Sequence, residues 1–208
     1  MEKYKTVQEK FWAEEFGNDY IERNKGAHLL ASNLNFFIKA LSNADKINSC
    51  LEFGANIGMN LQALGLIFPN IVRKGIEINA TACIELEKLI GSDNVFHNSI
   101  FDVEIKEKSD LVLIKTVLIH INPEMLEEVY QKLYDASSKY ILIAEYYNPS
   151  PVSVSYRGHS ERLFKRDFAG EFLNKFQDVT LVDYGFVYKR DLAFPQDDIT
   201  WFLLKKHK

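Results

Sequence analysis

The stretch Leu51-Glu52-Phe53-Gly54-Ala55-Asn56-Ile57-Gly58-Met59-Asn60 decides the fold of this chain. It begins inside a short apolar strand, predicted over residues 47–53, and continues into a turn with two glycines. Over residues 59–68, apolar side chains then recur with the period of a helix. A glycine turn between a buried strand and a helix is typical of open α/β sheets, which bind ligands at the carboxyl ends of their strands. The stretch therefore predicts an α/β fold with a ligand site directly after its first strand.

The elements that follow keep the same alternation of strand and helix. Further strands are predicted over residues 71–78, 94–97, 110–115 and 140–146, and further helices over residues 80–90 and 123–138, with Asn122 as the cap before Pro123. The strands are apolar on both faces, which indicates a mostly parallel sheet covered by helices on both sides. We therefore expect an open, layered α/β core.

The pattern changes after residue 148. There the sequence predicts a long loop as far as His159 and a helix from about Arg162 to Phe176. Two last strands are predicted over residues 179–188 and 199–204, separated by about ten residues, which suits an antiparallel connection and not a helical crossover. The expected sheet has seven strands, of which one is antiparallel.

Two helical patterns, residues 6–15 and 25–40, precede the first strand and carry the aromatic residues Phe11, Trp12 and Phe16. They either cover an edge of the sheet or fold over the carboxyl ends of the strands as a lid. We expect a single domain over residues 1–208, with residues 1–45 as the helical cap or lid and residues 46–208 as the α/β core.

Composition excludes several classes of protein. The chain has 208 residues, 47% of them hydrophobic, and a formal net charge of −4, so neither disorder nor nucleic-acid binding is expected. No apolar run approaches the roughly 20 residues that a membrane span needs, and no secretory signal opens the chain, so a cytoplasmic location without membrane contact is expected. Cys50 and Cys83 read as buried thiols, and the five histidines lack metal-ligand spacing, so no metal is expected.

The glycine turn fits two common nucleotide motifs poorly. A dinucleotide fingerprint needs glycine at positions 54, 56 and 59, where this chain has Gly54, Asn56 and Met59. A phosphate-binding P-loop needs a lysine and a hydroxyl residue, which Met59-Asn60 does not supply. A nicotinamide-dependent oxidoreductase on the same architecture is therefore an alternative that the sequence disfavours.

The spacing Glu52-x-Gly54-x-Asn56-x-Gly58 resembles motif I of the class I S-adenosylmethionine-dependent methyltransferases, with one glycine replaced by asparagine. Asparagine accepts positive φ more readily than other non-glycine residues, so the turn can survive the change. The resemblance implies a Rossmann-like methyltransferase fold with S-adenosylmethionine as cofactor. Gly54 would let the backbone approach the methionine part of the cofactor, and Glu52 would pair with its ammonium group.

Glu77 ends the second strand nineteen residues after Gly58 and is placed to accept hydrogen bonds from both ribose hydroxyls. Ser99 and Ile100 follow the third strand, where these methyltransferases usually have an acidic residue near the adenine amine. The residues that the resemblance assigns to the cofactor are Tyr20, Glu52, Gly54, Ala55, Asn56, Gly58, Glu77, Ile78, Ser99, Ile100, Lys115 and Thr116.

A wider resemblance lies at the ends of the chain. Gln8-x-x-Phe11-Trp12-x-x-Glu15-Phe16-Gly17, Tyr156-Arg157-Gly158-His159, residues 163–172 and residues 197–202 together look like the pseudaminic acid biosynthesis-associated methylases. This resemblance implies an acceptor derived from a sugar, such as a nonulosonic acid or a sugar nucleotide. The residues expected to bind it are Arg23, Asn24, Tyr146, Tyr147, Asn148, Tyr156 and Arg157.

A general base is needed only where the attacking group must lose a proton, and His120 and His159 are the candidates. For His120 the alternative is a structural role, as a cap or a core histidine, and the sequence favours this alternative. A methyltransferase-like protein that binds the cofactor without catalysis is a further alternative for the whole chain.

Overall fold

The computed structural model describes residues 4–14, 16–18, 21, 26–156 and 159–207, with the backbone alone for residues 155–156 and 159–162. Its described α-helices are α1 Val7–Ala13, α2 Ala27–Ala40, α3 Met59–Ile67, α4 Ala80–Ile90, α5 Leu126–Ala136 and α6 Phe168–Lys175. Its strands are β1 Ser49–Phe53, β2 Val72–Glu77, β3 Val95–His97, β4 Ser109–Lys115, β5 Ser137–Glu145, β6 Val152–Tyr156, β7 His159–Lys165, β8 Val179–Val187 and β9 Ile199–Lys206. Within these ranges, every helix is too short or too polar to cross a lipid bilayer.

Seven of the strands form one sheet in the order β3-β2-β1-β4-β5-β9-β8. The pairs from β3 through β5 are parallel, whereas β9 runs antiparallel to both β5 and β8. This confirms the predicted mostly parallel sheet with one antiparallel strand. After β1 the chain continues to β2 on one side of it, whereas after β4 it continues to β5 on the other side. The connections that leave the carboxyl ends of β1 and β4 therefore run in opposite directions, and a crevice opens between them.

Both faces of the sheet are buried, as the apolar strands predict. Along β4, Leu111 and Leu113 point into one core cluster and Val112 and Ile114 into the other. Helices α5 and α6 pack on the face of Val112, and α2 and α3 pack on the face of Leu111. The helices on both sides therefore fix the sheet as a central layer and leave its ends for a site.

Local signals in the sequence account for the helix boundaries. Asn122 Oδ1 accepts a hydrogen bond from the Glu124 N–H at 3.1 Å, and a short 3₁₀ turn at Pro123–Met125 leads into α5. Thr6 caps α1 through a reciprocal capping box, since its hydroxyl accepts from the Glu9 N–H while the Glu9 carboxylate accepts from the Thr6 N–H. Asp167 caps α6 by accepting from the Gly170 N–H at 2.8 Å.

The region after residue 148 differs from its prediction. Instead of a loop to His159 and a helix from about Arg162, strands β6 and β7 form a separate antiparallel hairpin. Val152-Ser153-Val154-Ser155-Tyr156 alternates β-branched or aromatic residues with serine, which is the period of a strand. The cap at Asp167 then delays the helix to Phe168. The strand β5 likewise begins at Ser137, so it includes the last two residues of the helix predicted over residues 123–138.

We expect the substitution Phe172→Ala in α6 to lower the free energy of unfolding by about 3–5 kcal/mol, because it leaves a cavity in a closed core. The Phe172 ring is fully buried and packs edge-on against Tyr130. Urea denaturation measures the change. The control is Ile84→Ala on α4, whose side chain is 55% exposed and whose loss we expect to change stability by less than about 0.5 kcal/mol. Equal losses in the two variants would contradict this packing.

Candidate functional site

A cavity lies at the carboxyl ends of β1, β2 and β4, and its wall is completed by residues of α1 and α2. It holds about 1230 Å³ of empty space, including its open mouth. Ten of the residues that the sequence assigns to a site lie in its wall. They are Gly54, Ala55, Asn56, Glu77, Ile78, Ser99, Ile100, Lys115, Thr116 and His120.

The turn after β1 is built from three residues with left-handed backbone. Gly54 has φ 73°, Asn56 has φ 48° and Gly58 has φ 84°. A Cβ on Gly54 would lie 2.6 Å from a methyl group of Val117, so only glycine fits there without movement. The expectation that asparagine adopts positive φ in this turn is confirmed. Gly58 precedes the first residue of α3 and lies behind the cavity wall, against Leu86 and Leu89.

Glu77 joins the end of β2 to this turn. Its carboxylate accepts hydrogen bonds from the Asn56 N–H and the Asn79 N–H, each at 2.7 Å. Burial raises the pKa of Glu77, and the backbone hydrogen bonds act in the opposite direction. Since a carboxylate has about four acceptor positions, it can also receive hydroxyl groups of a ligand in the cavity. The sequence-predicted acid is thus held in place by the loop that it faces.

Glu52 lies behind the turn and not in the cavity wall. Its side chain is 1% exposed, Asn60 Nδ2 donates to its Oε1 at 2.6 Å, and its Oε2 has no hydrogen-bond partner among the described residues. Burial raises the pKa of Glu52 to about 8. A ligand in the cavity therefore meets Asn60, which lines it, before it meets the Glu52 carboxyl.

Lys115 ends β4 beside this carboxyl. Its ammonium group lies 3.5 Å from Asn33 Oδ1 and 5.5 Å from the centre of the Phe36 ring, both on α2. Burial lowers the pKa of Lys115, while the nearby charge of Glu52 raises it. Because Lys115 lines the cavity, it offers a partly desolvated cation to a ligand.

Glu145, at the end of β5, is a buried acid that the sequence analysis missed. Its Oε1 accepts hydrogen bonds from the Val117 N–H at 2.9 Å and the Leu118 N–H at 2.8 Å. Burial raises the pKa of Glu145 to about 8. These bonds hold the segment after β4, in which Thr116 has the positive φ of 57°. A charged residue at the end of an otherwise apolar strand was the available signal.

Helix α1 lies against the cavity. Thr6, Gln8, Glu9 and Trp12 line it, and the Trp12 ring is centred 4.7 Å from the His120 ring. This places α1 at the carboxyl ends of the strands, which is one of the two positions that the sequence leaves open for the aromatic segment. Movement of α1 as a lid stays a prediction.

Of the residues predicted for the acceptor, the structure describes the side chains of Tyr146, Tyr147 and Asn148, and these three lie outside the cavity wall. Tyr146 lies under the Lys165 ammonium at 5.2 Å, the Tyr147 ring is 6.1 Å from Phe202, and Asn148 donates to the Ser150 carbonyl at 2.5 Å. Their described contacts are thus made away from the cavity wall. Tyr20, Arg23, Asn24 and Arg157 lie outside the described residues, as do the side chains of Tyr156 and His159.

No protein-family model and no curated protein matches the chain. Several solved structures share its fold. An S-adenosylmethionine-dependent methyltransferase from Clostridium acetobutylicum ATCC 824 superposes with a TM-score of 0.64 at 12% identity, over 93% of this chain and 98% of that one. Magnesium protoporphyrin IX methyltransferase (ChlM) from Synechocystis PCC 6803, with bound SAH, gives 0.68 at 11% identity over 97% and 98%. The plantazolicin methyltransferase BpumL in complex with SAH gives 0.65 at 15% identity over 97% and 95%.

These likenesses show the fold. The chain has the Rossmann-like fold of S-adenosylmethionine-dependent methyltransferases, as the turn after β1 predicts. The narrower resemblance to the pseudaminic acid biosynthesis-associated methylases finds no matching family model.

We expect the unfolding free energy of the protein to fall as pH rises from about 4.5 to about 8. The pKa values of Glu52 and Glu145 are raised from 4.5 to about 8 in the folded state, so the folded chain binds protons more tightly than the unfolded chain in that window. Glu52→Gln removes one of these groups and should make the fall shallower. Urea denaturation at a series of pH values measures it.

The control for this experiment is Glu107→Gln, since the Glu107 side chain is 78% exposed in its ion pair with Lys74. Above about pH 5 we expect this variant to follow the wild type. A Glu52→Gln variant whose stability falls as steeply with pH as that of the wild type would contradict the raised pKa.

Proposed function

We propose that the protein is an enzyme that transfers the methyl group of S-adenosylmethionine to an oxygen or nitrogen of a small acceptor. The observation that carries the proposal is the left-handed turn at Gly54 and Asn56, fixed opposite the Glu77 carboxylate at the crevice of a methyltransferase-type sheet. A carboxylate at this position can accept both ribose hydroxyls of a nucleoside.

The residues of the cavity fit this cofactor. Asn56 Oδ1 is buried in the wall without a hydrogen-bond partner among the described residues, so it can accept from an ammonium group. Gly54 leaves no side chain between the backbone and the ligand. The cavity also lacks the Gly-rich phosphate cradle that a dinucleotide needs, since Asn56 and Met59 stand at two of its glycine positions. S-adenosylmethionine supplies an activated methyl group on a sulfonium and carries no phosphate.

The protein's task in this reaction is to position the acceptor. Holding the attacking atom about 3–3.5 Å from the methyl carbon and in line with the bond that breaks can supply about 7–11 kcal/mol of the barrier. Lys115 ends β4, and Thr116 and His120 follow it in the chain; all three line the cavity, and in the sheet order β4 lies on the side of β1 away from β3. We assign the reacting end of the cavity to this side.

His120 is the candidate general base among the described side chains. Its ring is 7% exposed, lines the cavity and lies beside the indole of Trp12. A sugar hydroxyl would need to lose its proton as it attacks, and an imidazole within hydrogen-bond reach can take it. The role of His159 rests on its place in the sequence.

We further propose an acceptor derived from a sugar, a nonulosonic acid or a sugar nucleotide. The support is the resemblance at both ends of the chain, together with the position of the β6–β7 hairpin. Strand β7 packs against the turn Leu118–His120, so the hairpin that carries Tyr156 and His159 borders the reacting end of the cavity. An arginine fork such as that of Arg157 would suit a carboxylate or a phosphate of this acceptor.

We expect Glu77→Ala to weaken binding of S-adenosylhomocysteine by about 100-fold, because two hydrogen bonds to a charged group are lost at about 1.5 kcal/mol each. Isothermal titration calorimetry measures the affinity, and circular dichroism checks that the variant is folded. Glu107→Ala, at an exposed acid, should bind as the wild type does. An unchanged dissociation constant for a folded Glu77→Ala variant would remove Glu77 from the site.

The rival functions give different results in a thermal-shift experiment. We expect S-adenosylmethionine and S-adenosylhomocysteine to raise the Tm of the wild type and NAD(H) to leave it unchanged. The reverse pattern would identify a nicotinamide-dependent oxidoreductase. Binding of S-adenosylmethionine without turnover of any acceptor would favour the non-catalytic alternative.

Incubation with labelled S-adenosylmethionine and a panel of sugar nucleotides and nonulosonic acids tests the acceptor. We expect one class to gain the mass of a CH₂ group, and we expect His120→Ala to lower kcat for a hydroxyl acceptor by about 10²–10⁴-fold. The control His207→Ala changes an exposed histidine near the end of β9 and should leave the rate unchanged. Methylation of other small molecules alone would contradict the sugar assignment.

A further inference from the structure

Helix α1 places a buried carboxylate in the cavity, for which the proposed function has no role so far. Glu9 is 8% exposed and lines the cavity beside Ser99. Its Oε2 accepts from the backbone N–H of Lys5 at 2.6 Å and of Thr6 at 3.0 Å, and its Oε1 accepts from the Ser99 hydroxyl. Three of about four acceptor positions are therefore filled, and one position on Oε1 remains.

The Ser99 hydroxyl has no proton left to donate to a ligand. Its single hydroxyl proton is donated to Glu9, and its oxygen accepts from the Phe101 N–H at 3.0 Å. A hydroxyl oxygen is also a weaker acceptor than a carboxylate, because charge-assisted hydrogen bonds are roughly twice as strong as neutral ones. The hydroxyl therefore orients the Glu9 carboxylate, and the carboxylate is the acceptor that faces the ligand.

The cavity has two chemically different ends on either side of Glu77. Toward β4 it is polar and contains the ammonium group of Lys115. Toward β3 it is lined by the apolar side chains of Ile78, Ile100 and Phe101, which suit the faces of a flat base, and by the polar residues Asn98 and Ser99. A ligand with a charged amino-acid end, a ribose and an aromatic base fits in one direction only, with its base in the apolar end next to Glu9.

We propose that Glu9 is the specificity-determining residue for the base of the cofactor, and that its Oε1 accepts a hydrogen bond from the exocyclic amine of adenine. The inference rests on the proposed function, because it takes the ribose to be held by Glu77. The acid at the adenine edge then comes from the N-terminal helix and not from the segment after β3. Recognition of the base consequently requires α1 to lie against the strands.

Contacts at the two ends of α1 hold the helix near the strands, as recognition of the base by Glu9 requires. Just before the helix, Lys5 Nζ forms an ion pair with Asp102, in the segment after β3, at 2.6 Å. At the end of the helix, Asn79 Nδ2, next to the start of α4, donates to the Trp12 and Ala13 carbonyls, each at 3.4 Å. These two links hold the ends of α1 near the strands, whereas the Glu9 carboxylate itself is held by the backbone N–H groups of Lys5 and Thr6 and by the Ser99 hydroxyl.

The test compares two ligands that differ at one edge of the base: adenine has an amine at C6 and an unprotonated N1, whereas hypoxanthine has a carbonyl at C6 and an N1–H. Calorimetry gives the affinities of wild type and Glu9→Gln for S-adenosylhomocysteine and for S-inosylhomocysteine, in which a carbonyl oxygen replaces the amine. We expect the wild type to prefer the adenosine ligand by about tenfold or more, since the carboxylate repels the carbonyl. In Glu9→Gln the preference should fall to about twofold or reverse, because an amide can donate to that carbonyl.

The matched control is Lys5→Ala, which removes the ion pair to Asp102 and keeps the Glu9 carboxylate. This pair is about half exposed, so we expect the affinities for the two ligands to fall equally and by no more than a few-fold. Circular dichroism and Tm establish that each variant is folded.

A Glu9→Gln variant that keeps the ligand preference of the wild type, or that weakens both ligands equally as Lys5→Ala does, overturns the inference and leaves the proposed function standing. Failure of the wild type to bind S-adenosylhomocysteine overturns the proposed function, and the inference with it.

Discussion

Hydrogen bonds between the turn after β1 and the end of β2 are the constraint on which the site depends. The Gly54 and Ala55 N–H groups both donate to the Ile76 carbonyl at 2.9 Å, and the Asn56 N–H donates to the Glu77 carboxylate. These bonds require the left-handed backbone that two glycines and one asparagine supply. They hold the backbone of the turn at the cavity wall and also hold the Glu77 carboxylate beside it.

A second constraint is electrostatic. Glu52, Lys115 and Glu145 are all buried near the ends of β1, β4 and β5, and burying an ionisable group costs several kcal/mol unless its partners compensate. Glu145 is compensated by backbone N–H groups that shape the segment after β4, and Lys115 by the nearby acids. Groups with strongly shifted pKa values cluster at functional sites. Their position around one crevice agrees with a site that distinguishes the charged end of a ligand from its aromatic end.

The sequence predicts the sheet, its antiparallel strand and the turn because these follow from local patterns. Strand apolarity, the glycine spacing and the asparagine at position 56 each act within a few residues. Glu77 could be placed because the ends of adjacent parallel strands meet at one edge of a sheet. The sequence predicts a loop and the start of a helix where the structure has the hairpin β6–β7, because the alternation over residues 152–156 is short.

The residues that sequence reasoning missed act across long separations. Glu145 contacts the segment after β4 from another strand, and Glu9 reaches Ser99 from ninety residues earlier in the chain. No periodicity or spacing encodes such pairs. Ser99 lies in the cavity wall, and its partner on α1 is visible only in three dimensions.

In the proposed function, the turn at Gly54–Asn56 and the Glu77 carboxylate bind a nucleoside with a sulfur-linked amino-acid tail. A crystal structure of the protein with S-adenosylhomocysteine tests it most directly. We expect the ribose hydroxyls on Glu77, the tail toward Lys115 and the base between Ile100 and the α1 helix. A ligand bound elsewhere, or bound here with its base toward β4, would contradict it.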